Sequence, residues 1–240
     1  MIHLTKISKQ HGSQILFSNA SLQILPGTRM GLVGANGTGK TTIFRLITGE
    51  ETAADGEISC AKKIKIGYFS QDVGEMTGGS ALQEVMSAAS EVVRLGERMK
   101  EMETAMAEPM DETAMEILLG DYGDAAEEFE NRGGYDLETR AQTVLTGLGI
   151  GPADFTRPVE SFSGGWKMRI ALAKILTIRP DVLLLDEPTN HLDMESIIWL
   201  ENWLINDFTG ALLMTCHDHD FMNKVVSRTV EVANQTATTY

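Results

Sequence analysis

The chain has 240 residues, of which 42% are hydrophobic and 22% are charged, and its formal net charge is −14. This composition suits a domain with a sizeable buried core and excludes a largely disordered chain. The excess negative charge disfavours non-specific binding of nucleic acid, which depends on the neutralisation of phosphates by Lys and Arg.

The negative charge is concentrated in the middle of the chain. Residues 72–160 contain 6 basic and 20 acidic residues and carry −14, whereas residues 1–71 carry +4 and residues 161–240 carry −4. A solvated helical surface is the simplest interpretation of such a segment.

The start of the chain and its cysteines indicate the compartment. Residues 1–7 alternate like a strand and lack the apolar core of a signal peptide. Apolar runs such as residues 182–185 are far shorter than the ~18 residues that a membrane helix needs. Cys60 and Cys216 form no CxxC pair, which favours free thiols in a reducing compartment. We therefore expect a soluble, cytoplasmic protein without direct membrane insertion.

The periodicity of apolar residues divides the chain into three blocks. The first block, residues 1–71, predicts a helix that begins near Thr41 and strands at residues 2–7, 21–24, 29–33 and 64–69. The middle block, residues 72–160, is rich in Ala, Glu and Met and lacks alternation, which predicts helices. The last block, residues 161–240, predicts in order a helix at 165–178, a strand at 182–186, a helix at 194–208, a strand at 211–215, a short helix and a closing hairpin. Strands that alternate with helices indicate an α/β core with a mainly parallel sheet, into which the helical block is inserted.

Methionines recur at helical spacing within the helical block, at Met99, Met102, Met106 and Met110. Such a stripe is more often part of a buried core than an adaptable surface for a partner. Both interpretations remain open from the sequence.

The strongest motif is a glycine-rich stretch that follows an apolar strand and opens a helix. It matches GxxxxGK[ST] in full, and the predicted binding set is Gly34, Ala35, Asn36, Gly37, Thr38, Gly39, Lys40, Thr41 and Thr42. Gly37 and Gly39 permit backbone conformations that turn successive N–H groups toward an anion, and the helix N-terminus adds partial positive charge. The motif predicts a Mg-ATP site in which Lys40 reaches the β- and γ-phosphates and the Thr41 hydroxyl ligates Mg²⁺.

Two acidic residues follow the apolar run at residues 182–185. Asp186 and Glu187 should therefore lie at the C-terminal edge of a parallel sheet, which is where ligands bind in such sheets. We expect Asp186 to hold Mg²⁺ through water and Glu187 to polarise the water that attacks the γ-phosphate.

A third motif, Ser-Gly-Gly-Trp-Lys, precedes the helix predicted before the acidic strand. Ser163 suits an N-cap, and Gly164 and Gly165 leave backbone N–H groups open for an anion. Together with the two motifs above, this stretch resembles the LSGGQ signature of ABC ATPases, with Phe162 in place of Leu and Trp166 in place of Gln.

The resemblance covers the whole chain and implies further roles. The implied fold is a P-loop NTPase of ABC type, with antiparallel N-terminal strands added to the mainly parallel core sheet and a helical sub-domain inserted between Q-loop and signature. Residues 1–71 and 161–240 would form the ATP-binding core, and residues 72–160 the sub-domain. Gln71 resembles the Q-loop glutamine, which senses Mg²⁺ and the attacking water. His217 resembles the switch histidine, which contacts the γ-phosphate.

The resemblance narrows toward ABC-F proteins, which are soluble tandem ATPases whose best-studied members act on ribosomes. Residues 188–193 read Pro-Thr-Asn-His-Leu-Asp, the form typical of ABC-F, and residues 216–221 are similar to its SHDRDF motif. Three positions depart from the pattern. Trp166 replaces the signature Gln, His219 replaces an Arg, and His11 stands where an aromatic residue that stacks on adenine is expected.

One copy of each motif implies that the chain needs a second ABC domain, because in this family the phosphate loop of one domain faces the signature of another. We expect a first domain of a tandem ABC-F protein, lacking its linker and second domain, which hydrolyses ATP slowly and acts with the ribosome. The alternatives are the nucleotide-binding domain of an ABC membrane transporter and an ATP-gated binding module without useful turnover.

Overall fold

A sheet of apolar strands that is buried on both faces needs helices on each side. In this chain, helices alternate with the strands of the core along the sequence. The computed structural model describes residues 1–72, 74 and 76–240. Its strands are β1 (Ile2–His11), β2 (Gln14–Ile24), β3 (Arg29–Val33), β4 (Asp55–Cys60), β5 (Ile66–Phe69), β6 (Val182–Asp186), β7 (Ala211–Thr215), β8 (Arg228–Ala233) and β9 (Thr236–Thr239). Its α-helices are α1 (Lys40–Thr48), α2 (Ala81–Met86), α3 (Ser90–Met106), α4 (Glu112–Asn131), α5 (Leu137–Gly147), α6 (Gly164–Thr177), α7 (Met194–Asn206) and α8 (His219–Val225).

The described strands form two sheets. The core sheet has the order β5-β6-β7-β3-β8-β9 and is parallel except for the final β8–β9 hairpin. The N-terminal sheet has the order β2-β1-β4 and is antiparallel. This arrangement confirms the predicted α/β fold with a mainly parallel core and antiparallel strands at the N-terminus.

Residues 182–185 of β6 alternate between two hydrophobic clusters, which explains why all four are apolar. Leu184 joins a cluster with α1 and the N-terminal sheet, including Phe44 and Ile2. Leu185 joins the opposite cluster with α6 and α7, including Leu172 and Leu200. Every residue of β6 and of β7 is buried, so these two strands form the centre of the core.

The helical block lies between β5 and α6 and contains α2, α3, α4 and α5. Its α2 helix begins with a capping box between Ser80 and Gln83. In α3, Met99 and Met102 are buried, as expected for core residues, but α3 ends at Met106 and Met110 lies outside it. In the part of the chain that the structure describes, no helix combines the length and apolar character that crossing a membrane requires.

Several element boundaries differ from the sequence-based predictions. The β2 strand begins seven residues earlier than predicted, at Gln14, because shifts in its pairing with β1 break the two-residue alternation. The β4 strand was not predicted, since it pairs at the edge of its sheet and all of it except the half-buried Ile58 is exposed. The β5 strand begins at Ile66 instead of residue 64.

A buried arginine joins α6 to the segment that follows β6. Arg169 is 9% exposed, and its guanidinium donates to the carbonyls of Leu148 and His191 and to Asp193 Oδ2, the last at 2.8 Å. Asp193 Oδ1 also accepts the Ser196 N–H at 2.9 Å, which caps α7. The Ser196 N–H and the Arg169 guanidinium together lower the pKa of Asp193 to about 2. These contacts fix the start of α7 relative to the start of α6.

The depressed pKa of Asp193 predicts a stability that depends on pH. A carboxylate of lowered pKa stabilises the fold above its unfolded pKa of about 3.9, and the stabilisation is lost as the pH falls toward about 2. Asp193 is 53% exposed, so screening limits the contribution of its charge to about 1 kcal/mol. We expect Asp193→Asn to be less stable than the native chain at pH 6, with the difference disappearing near pH 2 in thermal unfolding.

Asp111→Asn is the matched control for this prediction. Asp111 caps α4 by accepting the Ala114 N–H at 3.0 Å, as Asp193 caps α7, but it forms no ion pair with any described residue. A stability deficit of Asp193→Asn that stays constant from pH 6 to pH 2 would contradict the predicted role of its charge.

Candidate functional site

The carboxyl ends of β3, β6 and β7 meet at one edge of the core sheet and border a cleft of about 490 Å³. This volume lies within the range of about 300–1,000 Å³ that is usual for small-molecule sites. The cleft is lined by His11, Gln14, Leu16, Asn36, Gly37, Gly39, Lys40, Thr41, Thr42, Gln71, Asp186, Glu187 and His217. Most of the residues predicted for ATP and Mg²⁺ thus border one cleft.

The glycine-rich loop bends through residues with positive φ. The φ angles are +80° at Gly37 and +101° at Gly39, and Gly39 is the N-cap of α1. The first N–H groups of α1 therefore point into the loop and are available to an anion. Lys40 Nζ donates to the carbonyls of Gly34 and Ala35, at 2.7 and 3.1 Å, so a phosphate would compete with these two acceptors for the ammonium group.

Asp186 lies under the loop, at the end of β6, and is 6% exposed. Its two carboxylate oxygens have different partners. Oδ2 accepts the Thr41 hydroxyl at 2.7 Å, and Oδ1 accepts the Thr215 hydroxyl at 2.6 Å. The Asp186 carboxylate thereby links the start of α1 to the end of β7.

Glu187, the next residue, has a left-handed backbone with φ of +52° and is 7% exposed. Its N–H donates to Thr215 Oγ1 at 3.0 Å and to the Thr215 carbonyl at 3.2 Å. Its carboxylate oxygen Oε2 accepts the His217 N–H at 2.9 Å, and Oε1 lies 3.6 Å from His217 Nε2. The geometry brings the predicted base and the predicted switch histidine into direct contact.

Sequence reasoning missed Thr215, although it contacts both acidic residues. Asp186 and Thr215 are partners in the register of β6 and β7. A hydroxyl at the end of an otherwise apolar strand, next to a strand that ends in acids, is the signal that could have identified it.

The donor set at this edge fits Mg²⁺. The Thr41 hydroxyl oxygen and the Asp186 carboxylate oxygen Oδ2 are hard oxygen donors that lie 2.7 Å apart at the cleft. Within the described ranges, no group of three or more His, Cys, Asp and Glu residues could hold a metal ion. Mg²⁺ commonly binds through one or two protein ligands together with substrate phosphates and waters, and therefore needs no such group. Gln71 is exposed and borders the same cleft, and its role as a ligand stays a prediction.

The signature residues lie outside the cleft. Ser163 is the N-cap of α6, but its hydroxyl makes no capping hydrogen bond to any described residue, contrary to a simple capping role. Ser163 and Gly164 are exposed, and Gly165 is half-buried. Trp166 is 38% exposed and is covered on one side by the Arg169 guanidinium, 4.6 Å from its ring centroid. The start of α6 thus presents its N–H groups and the Ser163 hydroxyl to solvent.

His11 ends β1 at the rim of the cleft. It is 50% exposed, and its Nε2 lies 3.3 Å from Glu51 Oε2. Lys9 Nζ also contacts that oxygen at 2.9 Å, and this hydrogen bond is the main cause of the lowered pKa of Glu51. The imidazole lines the cleft, and its stacking on a base stays a prediction.

The loop glycines allow a prediction that separates backbone strain from steric overlap. A Cβ at Gly34 would lie 2.4 Å from the Val232 carbonyl oxygen, whereas a Cβ at Gly37 would meet nothing within 4 Å. Both positions have positive φ, +153° and +80°. We expect Gly37→Ala to cost about 1 kcal/mol from strain alone and Gly34→Ala clearly more, measured by chemical denaturation. Equal losses in the two variants would show that the contact with Val232 does not constrain the loop.

Comparisons with known proteins identify the family of this chain. The family model described as ABC transporter matches residues 17–190. The chain is 37% identical over 236 residues to the ABC transporter ATP-binding protein YfmR of Bacillus subtilis, covering 97% of this chain and 36% of the relative. It is 33% identical over 231 residues to the tylosin resistance ATP-binding protein TlrC of Streptomyces fradiae, covering 96% of this chain and 42% of the relative. The chain thus spans about two fifths or less of the length of these relatives.

Solved structures show the same fold at low sequence identity. An ATP-binding subunit of an ABC transporter superimposes with a TM-score of 0.72 at 16% identity, covering 100% of this chain and 89% of that one. The ATP-binding cassette MJ0796, in a dimeric post-hydrolysis state bound to ADP and Pi, superimposes with a TM-score of 0.67 at 18% identity, covering 100% and 98%. Family match and fold together confirm the predicted recognition, and the chain belongs to the ABC family as an ATP-binding domain.

Proposed function

We propose that this chain binds Mg-ATP in the cleft and hydrolyses it slowly when a second ABC domain closes over the nucleotide. The observation that carries the proposal is the separation of the two halves of the site. The loop and the acidic residues border the cleft, while the start of α6 is exposed and lies elsewhere. One chain therefore offers a complete binding half and a signature half that is free to face another domain.

The residues at the cleft suit distinct roles in phosphoryl transfer. Residues 34–39 and the start of α1 would hold the phosphates through backbone N–H groups, and Lys40 would bind the β- and γ-phosphates. Thr41 and Asp186, with Gln71 as a further oxygen donor, would hold Mg²⁺, which supplies neutralisation of phosphate charge. Glu187 would polarise the attacking water.

His217 and the opposing signature complete the proposed site. The contact between His217 and Glu187 places the imidazole beside the base, where it would sense the γ-phosphate. Closure would bring Ser163 and the amides of Gly164 and Gly165 of one domain onto the γ-phosphate held by another. Closure also excludes water, which strengthens each of these electrostatic contacts. ATP would favour the closed pair and ADP the open one, so the nucleotide acts as a switch.

A concentration series tests whether two domains are needed. We expect the ATP turnover per chain to rise with chain concentration, because each active site requires a second copy. We also expect Glu187→Gln to lower the turnover by about 10²–10⁴-fold while ATP is still bound, since the loss concerns the base and not the phosphate cradle. Turnover by phosphate release and affinity by a fluorescent ATP analogue measure the two effects.

Glu116→Gln is the control for this substitution. Glu116 is exposed on α4, outside the cleft, and undergoes the same change of charge. A turnover per chain that is constant over the whole concentration range and insensitive to Glu187→Gln would refute the composite site. Bound ATP without turnover at any concentration would indicate that two copies of this chain do not pair productively and that a different ABC domain supplies the opposing half.

We further propose that the chain is the first nucleotide-binding domain of an ABC-F protein that associates with the ribosome in the cytoplasm. Residues 188–193 and 216–221 carry the motifs that support this assignment. The relatives are much longer than this chain, which leaves room for a second ABC domain in each. The acidic block at residues 72–160 disfavours direct contact with RNA, so contact through other parts of the full-length protein is favoured.

Sedimentation with ribosomes tests the proposed partner. We expect the full-length protein carrying Glu187→Gln to co-sediment with ribosomes in ATP and to be released in ADP, because the variant retains the closed state. Lys40→Ala in the same background removes phosphate binding and should abolish the ATP dependence. Absence of co-sedimentation in ATP, with recovery of the protein in membranes together with a permease, would favour a transporter domain instead.

A further inference from the structure

Thr215 is the one residue, among those described, whose side chain contacts both Asp186 and the backbone of Glu187. It is fully buried, with 0% of its surface exposed. It therefore has no access to nucleotide or to the attacking water, and its hydroxyl is absent from the residues that line the cleft. Any influence of its hydroxyl on the reaction must pass through the two acidic residues.

The direction of the hydrogen bonds at Thr215 is fixed by chemistry. An ionised carboxylate can only accept, so the Thr215 hydroxyl donates its single proton to Asp186 Oδ1 at 2.6 Å. Its lone pair then accepts the Glu187 N–H at 3.0 Å. The result is a directed chain from the Glu187 amide through the Thr215 hydroxyl to the Asp186 carboxylate. In such chains each bond polarises the next, and the bond to the charged group is the stronger one.

The two hydrogen bonds restrain different degrees of freedom. The bond to Asp186 fixes the rotation of its carboxylate, so that the opposite oxygen, Oδ2, faces Thr41. The bond from the Glu187 N–H helps to hold a residue whose φ of +52° is unfavourable for any side chain. The position of the Glu187 carboxylate follows from that backbone conformation.

We infer that Thr215 is a positioning residue that sets the metal-binding carboxylate and the water-polarising glutamate as one unit. The inference rests on the proposed roles of Asp186 and Glu187 in ATP hydrolysis. The end of β7 would thus orient the two acidic residues. Neither the glycine-rich loop nor the acidic strand performs this function. Its consequence is that loss of one hydroxyl group should impair Mg²⁺ binding and catalysis together, without touching the phosphate cradle.

Two substitutions separate the hydroxyl from the shape of the side chain. Thr215→Val keeps the β-branched shape in a fully buried position but removes both hydrogen bonds of the side chain. Thr215→Ser keeps the hydroxyl and removes a methyl group. Thr177→Val is the matched control, because Thr177 is 1% exposed and its hydroxyl donates only to the Ala173 carbonyl within α6.

The first readout needs neither nucleotide nor metal. Amide exchange at residue 187, followed by NMR in the nucleotide-free chain, should be about tenfold faster in Thr215→Val than in the native chain, since one of two acceptors is lost. The Thr215 carbonyl, 3.2 Å from the Glu187 nitrogen, accounts for the protection that remains. Thr215→Ser and Thr177→Val should leave this rate within about twofold.

The second readout compares nucleotide affinity with and without Mg²⁺. In Thr215→Val, the factor by which Mg²⁺ strengthens ATP binding should be about 10–100-fold smaller, because a hydrogen bond to a charged group has that value. The affinity for ATP in EDTA should be unchanged. Turnover by the paired domain should fall by a similar factor, and Thr215→Ser should restore both. A purely structural role would instead lower metal-free affinity and the unfolding temperature together.

The inference is overturned if Thr215→Val matches Thr215→Ser in amide exchange and in Mg²⁺ dependence, or if its losses track its unfolding temperature. A turnover per chain that is constant over the concentration range and insensitive to Glu187→Gln would refute the proposed function instead. The exchange and affinity measurements would still decide whether Thr215 holds the two acidic residues, because neither requires turnover.

Discussion

Parallel pairing of β6 with β7 sets Asp186 opposite Thr215, and the geometry of the cleft depends on this register. Both strands are buried on both faces, so a shift by one residue would transfer every side chain to the opposite hydrophobic cluster. The apolar core therefore fixes where the polar residues at the strand ends lie. The positions of the polar residues at the edge of the sheet thus depend on the packing of the apolar residues that precede them in the two strands.

The same core also keeps the two functional surfaces apart. The start of α1 is held at the cleft by packing of Phe44 and Ile43 against the N-terminal sheet. The start of α6 belongs to the other cluster and is tied by Arg169 to the beginning of α7. Neither helix has a side-chain capping hydrogen bond from the described residues, and the first turn of α1 borders the cleft whereas that of α6 does not. This layout underlies the proposal that a second ABC domain completes the site.

The core elements and most of the residues that border the cleft could be predicted from the sequence, because local signals specify both. The strand–loop–helix at residues 29–48 and the apolar strand before Asp186 were predictable from spacing and residue type alone. The edge strand β4 was not, since it has almost no buried residue and follows no alternation. Thr215 was also missed, because its importance arises from pairing with a strand that precedes it by some thirty residues. The position of the Lys40 ammonium group could not be predicted either. It donates to two carbonyls of its own loop, and no sequence pattern reveals these contacts.

The left-handed backbone at Glu187 has an evolutionary consequence. Glycine adopts that conformation without the steric penalty that a side chain incurs there, so the fold by itself would favour glycine at this position. A variant library selected only for resistance to heat would consequently drift away from glutamate. Given the role proposed for Glu187, retention of the acid in a natural population would report selection for the reaction, and position 187 would distinguish active lineages from those that persist merely as folded domains.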